Sequence, residues 1–241
     1  CVIIGSGAAA GVLTSDASGT VAIGKSALAA LTSGEHNIAI GLDAALGITT
    51  GDNNVAIGYA AYDAADGAES ENMAIGVAAL GNLNNDSAAR NMAIGNFAGN
   101  GMGTLASLDN IFIGYDAGGG NWTGTLSSYN VGIGNSTLTG AMNDGNNNVA
   151  VGYVALQSLT GGGNNVAIGH QAGDAIQAGH NNVAVGQGAL TTAIHQDECV
   201  AVGQGALAAL NNDAADGAVG IGYQALAALT SGANNLAVGY L

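Results

Sequence analysis

The sequence predicts an all-β fold, a repetitive β-solenoid of about 14 coils with a mean repeat of about 18 residues, drawn out as an elongated fibre. Three observations lead there. A five-residue motif, N-[V/I/M/L]-A-[I/V]-G, recurs along the whole chain. Apolar positions follow each motif glycine at constant distances. The chain holds 42 Gly and no Pro among 241 residues, which suits closely stacked, turn-rich backbone.

The motif reads NIAIG at 37–41, NVAIG at 54–58, NMAIG at 72–76 and 91–95, and NIFIG at 110–114. It continues as NVGIG at 130–134, NVAVG at 148–152, NVAIG at 165–169 and NVAVG at 182–186. Variants stand at 1–5, 20–24, 199–203, 218–222 and 235–239. The motif glycines therefore run at a nearly constant interval from Gly5 to Gly239. Alternation of Val or Ile with a small residue is strand periodicity, and so short a strand is stable only when stacked on copies of itself. This reading expects the Val and Ile columns to be buried.

Three residues after each motif glycine stands Ala, from Ala8 to Ala225, with Thr137 as the exception. Leu often follows, as at Leu28, Leu80, Leu156 and Leu207. A third apolar site lies seven residues after the glycine, for example Leu31, Ile48, Leu83, Met102, Leu159 and Leu210. Asn121 breaks that row, and the adjacent Trp122 is expected to replace it. The spacing fits either one helical turn or a second short strand. The length variation falls later, in polar stretches such as TSGEH and NNDSAAR, which read as loops.

Ten motifs open with Asn. Asn tolerates the left-handed conformation of a sharp corner, and stacked amides can bond up and down a solenoid. The motif glycine needs either a positive φ or a site closed to any Cβ.

Composition excludes several function classes. Two basic residues against seventeen acidic ones give a net charge of −15, which opposes binding to nucleic acid or to an anionic membrane. No run of apolar residues is long enough for membrane insertion as a helix. Collagen needs the proline that is missing here.

Ile23 to Leu28 and Ile221 to Leu226 satisfy the hexapeptide rule of left-handed β-helices, though only one hexapeptide per coil does so. The N-x-A-I-G-x-x-A-L strings more closely resemble repeats of bacteriophage tail fibres and bacterial surface adhesins. They are also similar to the head repeats of trimeric autotransporter adhesins, although the period here is longer and looser. The resemblance implies a structural fibre that mediates attachment, located on a virion tail or a bacterial surface. It also implies self-association as a parallel homotrimer, with a surface glycan as the candidate receptor. Ala and Gly at inward positions leave a thin core, so the Leu row is expected to be buried between chains. Residues 1–241 are read as one continuous repeat array cut from a longer fibre. The alternative is a carbohydrate-binding or carbohydrate-modifying β-helix module.

Candidate sites are few. His36, His170, His180 and His195 are scattered without metal-ligand spacing. Cys1 and Cys199 both take the Asn position of a motif, too far apart along a stack for a disulfide. Two DAADGA copies place Asp63 with Asp66 and Asp213 with Asp216 in glycine-rich loops. Their oxygens suit Ca²⁺, but a full ligand set is missing, so chelation is expected to leave stability unchanged. Tyr59, Tyr115, Tyr153, Tyr223 and Tyr240 directly follow motif glycines and are candidates for a discontinuous outward row that stacks on sugars. No catalytic, cofactor-binding or metal-ligating residue is assigned, and no enzyme is expected.

Overall fold

A computed structural model describes residues 1–14 and 17–241. The fold is an all-β parallel β-solenoid, and its residues divide into two compact units, Cys1–Leu126 and Ser127–Leu241. The first carries β1 (Val2–Ile4), β2 (Val21–Ile23), β3 (Ile38–Ile40), β4 (Val55–Ile57), β5 (Met73–Ile75), β6 (Met92–Ile94) and β7 (Ile111–Ile113). The second carries β8 (Val131–Ile133), β9 (Val149–Val151), β10 (Val166–Ile168), β11 (Val183–Val185), β12 (Val200–Val202), β13 (Val219–Ile221) and β14 (Leu236–Val238). Within each unit every strand pairs in parallel with the next, motif position against motif position, as in Val55↔Met73 and Val166↔Val183. A short 3-10 turn at Asp213–Ala215 is the one helical element among the described residues.

The strands point the opposite way from the expectation. From β2 to β13 the central residue, mostly Ala, faces inward and is fully buried, while the flanking Val, Ile or Met are half-buried or exposed. The reason is room. The inside of the coil is filled by residues three, four and seven places after the motif glycine: Ala27, Leu28 and Leu31 in one coil, Ala155, Leu156 and Leu159 in another, all buried. Only a methyl group fits opposite them. The Leu row therefore packs within its own chain, not between chains. In two coils the third site slips by one residue, and Trp122 and Met142 fill it. The expectation for Trp122 is met.

Phe112 tests this packing rule. It takes the inward Ala position of β7 and is fully buried. The residues four places after the motif glycines of β6 and β7 are then Gly99 and Gly118 instead of Leu. A Cβ on Gly118 would lie 2.7 Å from the Phe112 ring. The large side chain thus occupies space that two leucines surrender, and it meets Trp122 edge-on at 5.7 Å.

The segment after the glycine is neither helix nor strand. Residues two and four places on adopt left-handed backbone, as at Asp43 (φ 57°) and Ala45 (φ 48°). Their amides point in opposite directions along the stack: Asp43 N–H donates to Lys25 O in the preceding coil, and Ala45 N–H donates to Ala61 O in the following one. The alternation lets a turn join its neighbours on both sides as a strand would. Left-handed backbone also falls on the residue before each motif Asn, such as Asn53 (φ 58°) and Asn164 (φ 60°), and not on the Asn itself.

Most motif glycines carry both constraints that the sequence left as alternatives. Their φ values run from 127° to 151°, a range that side chains rarely adopt. A Cβ on Gly152 would also stand 2.5 Å from Gly169 O in the next coil.

Candidate functional site

Two features of the coil bear on function: a buried polar spine and an exposed apolar face. The spine is made by nine of the ten motif asparagines, all buried; Asn235 is half-buried and stands outside it. In the first unit it runs through Asn37, Asn54, Asn72, Asn91 and Asn110. In the second it runs through Asn130, Asn148, Asn165 and Asn182. Asn148 shows the pattern. Its Oδ1 accepts from the backbone N–H and the Nδ2 of Asn165, both at 3.0 Å. Its own Nδ2 donates to Asn130 Oδ1 at 3.1 Å and to Gly162 O at 3.0 Å. Such an amide is satisfied by the coils above and below, which removes the cost of burying it.

Cys199 replaces Asn in this column. Its backbone N–H still donates to Asn182 Oδ1, and its Sγ reaches Ala215 O at 3.6 Å. Burial pushes the thiol up, which disfavours the thiolate form. Both cysteines are free. A Cys199→Asn variant is expected to gain about 1 kcal/mol in denaturant unfolding, because its amide would bond Asn182 and Ala215 and offer Ala218 N–H a better acceptor than sulfur. An unchanged or lower midpoint would count against the spine as a source of stability.

Within each unit the exposed face consists of the first and third residues of each strand, which form two aliphatic columns. Ile40, Ile133, Ile168 and Ile221 are 37 to 42% exposed. Among the described residues no strand carries a polar or charged side chain, although the chain is strongly acidic. Beside these columns runs the row that follows the motif glycines. Tyr59, Tyr115 and Tyr153 are about 55% exposed, and Tyr223 and Tyr240 are exposed too. The aromatic contacts are local: Tyr153 stacks on His170 at 5.5 Å, Tyr223 on Tyr240 at 5.0 Å, and Phe97 meets Tyr115 edge-on. Tyr59 stands between Leu42 and Val77 in the same row, so the row is mixed and not an unbroken stacking platform.

The other sequence candidates are dispersed. His36 lies 3.7 Å from Glu35 at the surface. His180 Nδ1 accepts from Gly163 N–H at 3.0 Å, a bond to the neighbouring coil. His195 is exposed. Arg90 grips Asp109 through two hydrogen bonds of 2.7 and 2.9 Å, which holds that carboxyl below its usual range.

The two DAADGA copies fall at different places in the coil and are not equivalent. In the second, Asp216 Oδ1 accepts from Asp197 N–H in the preceding coil, and the Asp213 side chain lies outside the described part of the structure. In the first, burial pushes the Asp63 carboxyl up, aided by the nearby charge of Asp43. Asp66, Glu69 and Asp86 converge there. Asp63 and Asp66, which the sequence pairs, are thus separated in role. The partners of Asp66 come from a Glu outside the repeated hexapeptide and from the next coil.

Comparison with protein-family models, with curated proteins and with solved structures gives no match to this chain. Among the described residues no helix is long and apolar enough to cross a membrane.

Proposed function

We propose that this chain is a structural shaft element of an extracellular or virion fibre, assembled as a parallel homotrimer and serving attachment to a host or surface. The observation that carries the reading is the uncharged double column of half-exposed Val and Ile along the strands. Apolar faces of this extent are rare on monomers, and charge depletion at the centre is the mark of a buried interface. The face repeats with the coil, so a second parallel copy in register offers the same surface at every level. Acidic side chains are confined to the segments between strands, where they keep an assembled filament soluble. The resemblance of the N-x-A-I-G-x-x-A-L strings to tail-fibre and adhesin repeats supports the attachment role.

Sedimentation equilibrium is expected to return three chain masses for the wild type. The double variant Ile57→Glu, Ile75→Glu, which places charge in the column, is expected to return one. A monomeric wild type rejects the assembly, and a trimeric double variant rejects this face as its interface.

A further inference from the structure

The loops joining β4 to β5 and β5 to β6 hold the densest group of carboxylates that the fold brings together among the described residues. Asp66 and Glu69 come from one coil and Asp86 from the next, and one carboxylate oxygen from each lies within 4.8 Å of the others. Asp66 and Asp86 are exposed, whereas Glu69 is 0% exposed. Three negative groups this close repel one another, and no basic side chain pairs with any of them among the described residues.

Glu69 marks the place as more than a solvated acidic loop. One of its oxygens, Oε2, accepts from Gly67 N–H at 3.0 Å. The other, Oε1, is buried and has no hydrogen-bond partner. A buried carboxylate oxygen without a donor is costly unless a cation satisfies it. The loop is also shaped to bring Asp86 in. Asp86 Oδ1 accepts from Ala68 N–H at 2.9 Å, and a Cβ on Gly67 would collide with that same oxygen. Only glycine at 67 lets the Asp86 carboxylate settle against the preceding coil.

We propose that Asp66, Glu69 and Asp86 form a divalent-cation site that takes Ca²⁺ and ties two adjacent coils together. Hard carboxylate oxygens select a hard cation. Solvent on the exposed side of Asp66 and Asp86 completes the coordination shell. A site with three protein carboxylates and an open side belongs to the weak class, with a dissociation constant of about 0.1 to 1 mM.

The fold supplies its own control for the test. Gln196 occupies the coil position that corresponds to Glu69, seven residues before the motif glycine. It is buried, and its Oε1 accepts from Ile194 N–H at 2.5 Å, as Glu69 Oε2 accepts from Gly67 N–H. Its Nε2 has no partner, just as Glu69 Oε1 has none, so Glu69→Gln keeps a side chain that this position accommodates and removes the charge. Calorimetric titration of the full chain with CaCl₂ is expected to show one ion bound per chain. The thermal midpoint is expected to rise with Ca²⁺ concentration, because the ion binds the folded coil. Glu69→Gln and Asp86→Asn are each expected to weaken binding at least tenfold and to abolish the thermal shift. No binding by the wild type at concentrations about ten times the expected constant overturns the site. So does a Glu69→Gln chain that binds Ca²⁺ as the wild type does.

Discussion

Gly152→Val is expected to open the stack between β9 and β10, with a loss of about 2 to 6 kcal/mol against the parent chain. Two independent costs add. The backbone at Gly152 has φ 135°, and holding a side chain there costs about 1 to 3 kcal/mol. The new Cβ would meet Gly169 O at 2.5 Å and Gly169 C at 2.7 Å. These are backbone atoms of a paired coil and cannot rotate aside, so the coils must separate, at a similar cost. Gly152→Ala should be almost as harmful, because the collision is made by the Cβ itself. Gly188 supplies the contrast: its φ of 63° is one that Ser26 and Asp43 adopt at the equivalent place, and a Cβ there would stand 3.5 Å from its nearest neighbour. Gly188→Asn should cost less than about 1 kcal/mol. Denaturant unfolding of the three variants would decide the matter, and equal stability for Gly152→Ala and Gly188→Asn would contradict a closed column.

Asn148→Leu is expected to be nearly as damaging, by about 2 to 4 kcal/mol, for the opposite reason: nothing collides, but partners are stranded. The backbone N–H of Asn165 and one of its Nδ2 hydrogens lose Asn148 Oδ1, and Gly162 O loses the Asn148 Nδ2 donor. Each buried polar group left without a partner costs about 1 to 3 kcal/mol, and burial of the Leu side chain offsets about 1.5 to 3 kcal/mol of the sum. Because Asn130 and Asn165 belong to the same chain of bonds, the effect should spread beyond the substituted coil. Amide hydrogen exchange gives the direct reading. Protection should fall at Val149 and Val166 and stay near the parent value at Val200. Uniform protection in the variant would show that the amides merely fill the corner.

These two columns explain why a chain poor in large side chains holds a fold. The inward strand residue is mostly Ala, and most of the largest buried groups are leucines from the turn segment. Stability then rests heavily on backbone ladders between coils, on the Asn spine and on close approach at the glycines. Each depends on the neighbouring coil, as nearest-neighbour coupling in a solenoid requires.

The repeat determined much of this by itself. Fourteen copies at a nearly constant interval leave no fold but a stacked one, and parallel in-register pairing follows because only equal coils superimpose. The Ala column three places after the glycines, the replacement of Asn121 by Trp122 and the amide ladder were also legible, since each is a column property visible in aligned copies. The direction of the strand faces was not. Alternation says that two sets of residues point opposite ways, and hydrophobicity assigned the larger set inward. The structure reversed that assignment because the turn segment fills the interior and leaves room only for a methyl group. The turn's left-handed residues were equally hidden, since Leu28, Ala45 and Tyr62 are not residue types that favour such backbone. Inter-coil hydrogen bonds impose it on them. The Asp66, Glu69 and Asp86 cluster required the tertiary structure most of all. Asp86 stands a full coil away from Glu69 in sequence, and only stacking in register brings their carboxylates together.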